Sequence, residues 1–460
     1  MSTNKAPKLL STSERQAALA AVRRKKNTTQ HTTPPNMRSA EAGPRPAPQF
    51  SALPGFQEMR LQKAAADLLG IENPFFRAHD KRAGATTQMD GTTYINFASY
   101  DYVGLNGHPA VIEAAKSAAD YYGISASASR VVAGERPIHA ELEAKVAALH
   151  GVDAAVAFVS GHATNVAAIG QLMQTNDLIV HDAYIHNSIV TGAKLSGAVR
   201  QAFPHNDFEA LEAILASRAH KHDRVLIVVE GVYSMDGDYP DLPRLIELKQ
   251  RYGAWLMVDE AHSLGVLGST GRGLAEHFQE DPSAVDIWMG TFSKTLAGCG
   301  GYIAGSRDLV EYLKFTAPGF VFSVGLSPVL AASTSKAISV LLEEPGRVIR
   351  AQANGQYFLK AAQKAGLDTG VSRGCAVVPI MLGDSLKATV VAARLLQEGV
   401  NVLPIIYPAV PEKASRLRFF ITSEHTHEQM DTAIAAIIKT LSDYEQDPIS
   451  IAQLAGLMTS

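Results

Sequence analysis

Six short runs of uninterrupted apolar character recur along the middle of the chain: 154–160 (AAVAFVS), 177–181 (DLIVH), 225–230 (VLIVVE), 254–259 (AWLMVD), 286–290 (DIWMG) and 301–304 (GYIA). A strand with one wet face alternates apolar and polar residues. Continuous runs therefore predict strands buried on both faces, as in a mostly parallel sheet covered by helices. The stretches between them, such as 240–252, repeat their apolar residues at helical spacing. Together they predict a large α/β domain of the doubly wound kind over 110–347, with helices on both faces of its sheet. After residue 348 the pattern changes to fewer, mixed elements, so a smaller C-terminal α+β domain is expected over 348–446. It ends in a helix near 427–444, with 447–460 as a tail. Residues 56–109 read as an N-terminal segment packing on the body, and no internal repeat is visible.

The 460 residues are 46% hydrophobic and 19% charged, which supports a sizeable core and excludes global disorder. No apolar run reaches the roughly 18 to 20 residues of a membrane span, and the start does not resemble a signal peptide. The two cysteines, Cys299 and Cys375, are too few for a disulfide framework or a four-cysteine zinc site. A reducing, cytoplasmic compartment and no metal are the expectation.

The net charge of −3 is unevenly divided: residues 1–50 hold nine Lys and Arg against two Asp and Glu, a surplus of +7 that leaves −10 on the rest. Within this head, 10–26 (LSTSERQAALAAVRRKK) has capping hydroxyls, an alanine-rich middle and a cationic end, the signature of a short helix. The Pro- and Thr-rich stretch that follows reads as linker, so 1–55 is set apart from the body. Three readings of the head stay open: a solvated tail, a docking helix for an acidic partner, and a transit peptide. Nucleic-acid binding ranks below them, because the basic run is short and no aromatic residue interleaves it.

In open α/β sheets, chemistry sits in the loops beyond the strand C-termini, and five of these ends carry unusual residues. The first runs through Ser160, Gly161 and His162 into a helix whose start suits a phosphate. The second leads to His186, which could equally be an ordinary helix-start residue. The third opens EGVYSMDGD, residues 230–238, with Ser234. The fourth gives Asp259 and His262. A carboxylate at such a buried end requires a cation or good hydrogen bonds. The fifth gives Thr291, Ser293 and Lys294, where desolvation would lower the amine pKa and make it a nucleophile for carbonyls.

One ligand answers all five ends: pyridoxal 5'-phosphate (PLP). It offers a carbonyl for Lys294, a phosphate for Gly161, Thr291 and Ser293, a pyridinium nitrogen for Asp259 and an aromatic face for His186. His262 and Ser234 are placed to hydrogen-bond the ring hydroxyl. A carboxylate beside the ring nitrogen keeps it protonated, which makes the ring an electron sink.

With these residues on the page, the sequence resembles the α-oxoamine synthases, fold-type I PLP-dependent transferases that include serine palmitoyltransferase and 8-amino-7-oxononanoate synthase. The resemblance covers about residues 90 to 440. It rests on SYDYVGL (99–105), SRVVAG (129–134) with HAELE (139–143), EGVYSMDGD, VDEAHS (258–263), GTFSK (290–294) and RLR (416–418) ahead of EHT (424–426). It implies that Lys294 is the Schiff-base lysine, that His186 stacks on the ring, and that Arg418 clamps the amino acid carboxylate with Asp101 also on the substrate side. It implies that Ser323 reaches the phosphate of a second subunit, which makes a homodimer with shared active sites. Two departures stand out. His162 replaces the usual aromatic residue, so only its backbone N–H carries over, and GLSP (325–328) replaces the usual Ser-Leu-Pro-Pro style segment.

The activity so implied is decarboxylative condensation of glycine, alanine or serine with an acyl thioester, giving an α-aminoketone and CO2. The segments 125–143 and 160–165 look most like members associated with polyketide assembly lines, and the +7 head suits an acidic acyl carrier protein. An acyl-coenzyme A donor is the alternative, with Arg60, Arg77 and Arg82 as its candidate partners. An aminotransferase or aldol-type lyase would use the same Lys, Asp and phosphate pieces. A non-catalytic partner subunit would be expected to lack Lys294.

Overall fold

The computed structural model describes residues 47–68 and 73–446. The helix expected over 10–26 and the tail 447–460 lie outside the described residues. Two compact units are separated, Met1–Lys63 and Ala64–Ser460. Among its described residues the first holds a 3-10 turn, Phe50–Ala52, and the start of a helix, Pro54–Leu68.

The first strands of the second unit form a hairpin, β1 (Thr86–Met89) and β2 (Thr92–Asn96). Its turn residues Asp90 and Gly91 both take positive φ, 48° and 74°. Asp-Gly favours this conformation, and its twist matches that of the flanking strands. The next seven strands are β3 (Ala154–Phe158), β4 (Leu178–Asp182), β5 (Val199–Phe203), β6 (Val225–Glu230), β7 (Trp255–Asp259), β8 (Ile287–Thr291) and β9 (Gly301–Gly305). They form one sheet in the order β3-β9-β8-β7-β6-β4-β5. Only β9 runs antiparallel to its neighbours, so the sheet is mostly parallel.

The continuous apolar runs follow from two-sided burial. Leu178, Val180, Val225, Ile227, Val229, Leu256 and Val258 enter one core. The residues between them, Ile179, Leu226, Val228 and Met257, enter a second core on the opposite face. Helices Pro137–His150, Phe208–Arg218, Leu242–Tyr252 and Pro328–Glu343 contribute to the first core. Helices Gly161–Leu172, Asn187–Ser196 and Arg307–Thr316 contribute to the second. The five fully buried apolar residues of β6, Val225–Val229, would each add roughly 1.5 to 3 kcal/mol by transfer from water.

The last strands are β10 (Val377–Met381), β11 (Val400–Asn401), β12 (Leu403–Ile405) and β13 (Arg416–Phe420). They make a three-stranded antiparallel sheet, β10-β13-β12, while β11 instead joins β2 in parallel. Helices Gly346–Lys364, Ser385–Gln397 and His427–Gln446 share a third core with these strands, centred on Phe358, Phe419 and Ile437. No helix among the described residues is long and apolar enough to cross a membrane.

Candidate active site

Strand geometry decides which residues meet. Alternate side chains point to opposite faces, so Glu230 at the end of β6 falls on the face of Val228, and Asp259 at the end of β7 on that of Met257. Glu230 and Asp259 are direct register partners. Thr291, which ends β8, lies on the same face as Met289 of the second core. All three line a cavity beyond the strand C-termini, with Gly161, His162, His186, His262 and Lys294 completing its functional wall.

The requirement that Asp259 be well bonded is met by hydrogen bonds. One carboxylate oxygen accepts from Asn165 Nδ2 at 2.9 Å and the other from the Ala261 N–H at 3.0 Å. Asn165 also donates to Ser188 Oγ at 2.9 Å. Glu230 is 3% exposed. Its Oε2 accepts from the Ser234 N–H at 3.3 Å, while Oε1 has no hydrogen-bond partner among the described residues. Burial, helped by the neighbouring Asp259 charge, raises the Glu230 carboxyl to about 8. Burial lowers the Lys294 ammonium to about 8, against the opposing pull of Asp259 and Glu230. Its Nζ lies 5.8 Å from the centre of the Tyr100 ring.

His262 is buried and meets the Tyr102 hydroxyl through Nδ1 at 2.7 Å. Burial, with the nearby Lys294 and Arg418 charges, holds it well below the ordinary histidine range. His186 is a helix-start residue in fact: it is the N-cap of Asn187–Ser196, with Nδ1 2.7 Å from Ser188 Oγ. It also lines the cavity, where its ring lies 6.4 Å from that of His162. Ser160 caps the helix Gly161–Leu172 by accepting from the Ala163 N–H at 3.3 Å, and Gly161 and His162 occupy the first turn. Thr291 Oγ1 donates to the Gly300 carbonyl at 2.9 Å. A Cβ added to Gly161 would sit 2.8 Å from Thr291 Oγ1, so the glycine lets the helix start approach β8.

Five other predicted residues do not line this wall. Ser293 Oγ lies 3.2 Å from Thr291 Oγ1. Ser234 follows Glu230 on the loop, and its carbonyl accepts from Arg418 Nη1 at 3.1 Å. The Arg418 guanidinium lies 4.6 Å from the centre of the Phe420 ring. Ser323 follows the short helix Pro318–Val321 beside the exposed Phe322 and Val324. Asp101 is not brought to the cavity. Its carboxylate accepts from the Leu105 N–H at 2.8 Å and from the Asn106 N–H, which commits it to the turn.

The sequence reading passed over Asn165, Ser188, Glu230, Tyr100 and Tyr102. Two signals were available. Glu230 ends an apolar run just as Asp259 does, and Asn165 lies one helical turn after Gly161, on the same face. Tyr102 falls within the SYDYVGL segment, but its contact with His262 spans 160 positions and has no local signal.

The aminotransferase class I and II family pattern matches residues 92–437. The 4-hydroxy-2,2'-bipyrrole-5-methanol synthase PigH of Serratia sp. is 41% identical over 345 residues, 75% of this chain and 52% of that protein. The chain thus spans about half the length of that relative. The 8-amino-7-oxononanoate synthase of Thermoanaerobacter pseudethanolicus is 37% identical over 357 residues, 78% of this chain and 90% of the relative. A lysine-to-alanine variant of the serine palmitoyltransferase of S. paucimobilis, solved with a bound PLP–myriocin aldimine, superposes with a TM-score of 0.82 at 27% identity, covering 86% of this chain and 100% of that one.

The residues present fit PLP. The cavity offers a lysine of lowered pKa, a fixed carboxylate one strand away, an unpartnered buried Glu230 oxygen and a glycine-lined helix start. The chain belongs to the class I and II aminotransferase family and, within it, to the α-oxoamine synthase group of PLP-dependent acyltransferases.

Proposed function

We propose that the protein condenses glycine, alanine or serine with an acyl thioester carried by an acyl carrier protein, releasing CO2 and the free thiol and leaving an α-aminoketone. The observation that carries this reading is the convergence of Lys294, Asp259, His262 and His186 on one cavity, with the Arg418 guanidinium held beside it by Ser234 O.

Bound there, PLP supplies a carbonyl that captures amines and a protonated ring that accepts the electron pair of the amino acid α-carbon. Asp259, immobilised by Asn165 and the Ala261 N–H, would face the ring nitrogen. The Gly161 and His162 amides, at the positive end of a helix, and the Ser293 hydroxyl would hold the phosphate, with Thr291, whose proton goes to the Gly300 carbonyl, beside them. His186 covers one ring face. Burial keeps His262 neutral, so a Tyr102 hydroxyl donating to Nδ1 leaves Nε2–H to donate to the ring hydroxyl, with Ser234 alongside. Arg418 grips the substrate carboxylate through a charge-assisted fork. Fixing that carboxylate orients the α-carbon bonds and decides which one breaks. The Lys294 amine, close to half neutral near pH 8, takes the α-proton.

A homodimer that shares its active sites fits the surface around Ser323. Phe322 is 85% exposed, Val132 82% and Ile124 72%. Ser327 Oγ donates to the Ile124 carbonyl, and the Gly325 N–H to the Ala128 carbonyl, so these apolar residues belong to neighbouring segments. We assign residues 110–347 to a cofactor-binding domain and 348–446 to a smaller one. The carrier-bound donor is preferred over acyl-coenzyme A because the basic head matches an acidic carrier, whereas Arg82 is engaged with Glu424 at 3.3 Å. The free cysteines, Cys299 exposed and Cys375 buried, suit the cytoplasm.

The test is mass spectrometry of products formed from carboxyl-labelled glycine, alanine and serine with a panel of acyl-coenzyme A and acyl-carrier thioesters. Labelled CO2 and an α-aminoketone from a carrier-bound donor are expected. Turnover without CO2 release or thioester dependence would instead identify an aminotransferase or aldol-type lyase.

A further inference from the structure

His205 sits between two buried carboxylates. Its Nδ1 lies 2.9 Å from Asp182 Oδ1 and its Nε2 lies 2.9 Å from Asp238 Oδ2. Asp182 is fully buried and Asp238 is 4% exposed. Both ring nitrogens face acceptors, so both carry protons and the ring is an imidazolium. Burial opposes that charge, but the two carboxylates overcome it and raise the imidazole to about 10. The adjoining Asn206 ties the same pair together, its N–H to Asp182 Oδ2 at 2.9 Å and its Nδ2 to Asp238 Oδ2 at 2.8 Å. The ring is enclosed by Tyr184, stacked at 4.4 Å, and by Tyr233, edge-on at 4.5 Å.

The three charged groups come from different elements. Asp182 ends β4, His205 follows β5, and Asp238 closes the 231–238 loop after β6. That loop is tied to itself by Tyr233 N–H to Asp238 O and Gly237 N–H to Tyr233 O, both 2.9 Å. At its apex the Ser234 carbonyl receives Arg418 and the Met235 carbonyl receives Arg416 at 3.2 Å. The brace, the Arg416–Asp236 ion pair and the Arg418 guanidinium thus meet on one short loop.

We propose that His205 is a positioning residue for the amino acid carboxylate, a charged cross-brace that holds the 231–238 loop and, through the Ser234 carbonyl, the Arg418 guanidinium. This rests on reading Arg418 as the carboxylate clamp.

The experiment compares His205→Gln, Asp238→Asn, Arg418→Ala and the His205→Gln/Arg418→Ala double variant, all as cofactor-loaded full-length protein. Amino acid affinity is read by spectral titration, alongside KM, kcat and melting temperature. His205→Gln is expected to weaken amino acid binding and raise KM about 10-fold, with kcat within about twofold and cofactor absorption unchanged, the pattern of lost ground-state binding. Asp238→Asn keeps the loop's shape and should do the same should the histidine variant fold poorly. In the Arg418→Ala background the His205 change should add nothing, because residues acting through one contact are not additive. A lowered melting temperature with unchanged KM would overturn the proposal and leave His205 structural. An equal KM increase with and without Arg418 would also overturn it. Unchanged binding in Arg418→Ala alone would remove the clamp reading itself, a distinguishable failure that takes the His205 route with it.

Discussion

Lys294 and Glu230 are displaced from their ordinary ranges in opposite directions to the same region, about 8 for each, by one cause, burial in a shared cavity. The ammonium is the form that burial disfavours, so the neutral amine is present above pH 8 rather than only above its usual range near 10.5. Since the amine is what reacts with a carbonyl, cofactor uptake by the apoprotein should accelerate as pH rises and level off above about 8. Stopped-flow absorption at a series of pH values measures this. Ionised Glu230 favours the ammonium, so Glu230→Gln should move the midpoint of that profile to lower pH. An unmoved midpoint would show that the two groups do not sense each other. Lys294→Ala should abolish the visible absorption of the bound cofactor together with turnover. Arg418→Ala acts on another quantity. Losing a charge-assisted hydrogen bond costs about 1.5 to 3 kcal/mol, so the amino acid KM should rise roughly 10- to 100-fold while cofactor absorption persists, because Arg418 does not line the cavity.

Elements set the spacing on which these residues depend, as the start of the helix Gly161–Leu172 shows. Thr291 Oγ1, 2.8 Å from where a Gly161 Cβ would be, is itself tethered to the Gly300 carbonyl and cannot swing aside freely. Gly161→Ala would strengthen the helix by its intrinsic propensity. It should nevertheless lower PLP affinity about 10-fold by pushing the helix start off β8, as measured by equilibrium titration of the apoprotein. Unchanged affinity would show that the phosphate lies elsewhere. Elements buried on both faces were legible in the sequence for the same packing reason: VLIVVE and WLMVD allow no other face to be wet. Strand β5, VRQAF, was not, because it is an edge strand whose alternate residues are exposed, a pattern too short to separate from loop. The β1–β2 hairpin is polar and was passed over, although its Asp90-Gly91 turn was a usable mark. Parallel pairing of β2 with β11 joins Asn96 to Asn401, a contact no local pattern encodes. The candidate site divides in the same way. Residues at the ends of apolar runs were readable, whereas Asn165, Tyr102 and the His205 brace depend on partners distant in sequence.

At the scale of the whole molecule, the opposed charges of head and body bear on donor choice. Residues 1–50 carry +7 and the remainder −10, so by net charge the body would repel an acidic carrier protein and the head would attract it. Charges on separate surfaces act mainly on encounter rate, and salt screens them over about 8 to 10 Å. Residues that line the cavity lie in the second unit, after residue 160. Deleting residues 1–50 should therefore leave cofactor absorption and turnover of a small acyl thioester intact. With a carrier-bound donor at low ionic strength, kcat/KM should fall roughly 10-fold, since electrostatic steering commonly changes association rates by about that much or more. At high salt the full-length and shortened proteins should converge, because screening removes both the attraction of the head and the repulsion of the body. The comparison is kcat/KM for the two proteins with the same acyl-carrier donor at low and high ionic strength. Equal values at low salt would make the head a passive tail or a targeting segment and remove the charge argument for a carrier partner. A difference that persisted at high salt would point to a docking contact held by packing rather than by charge.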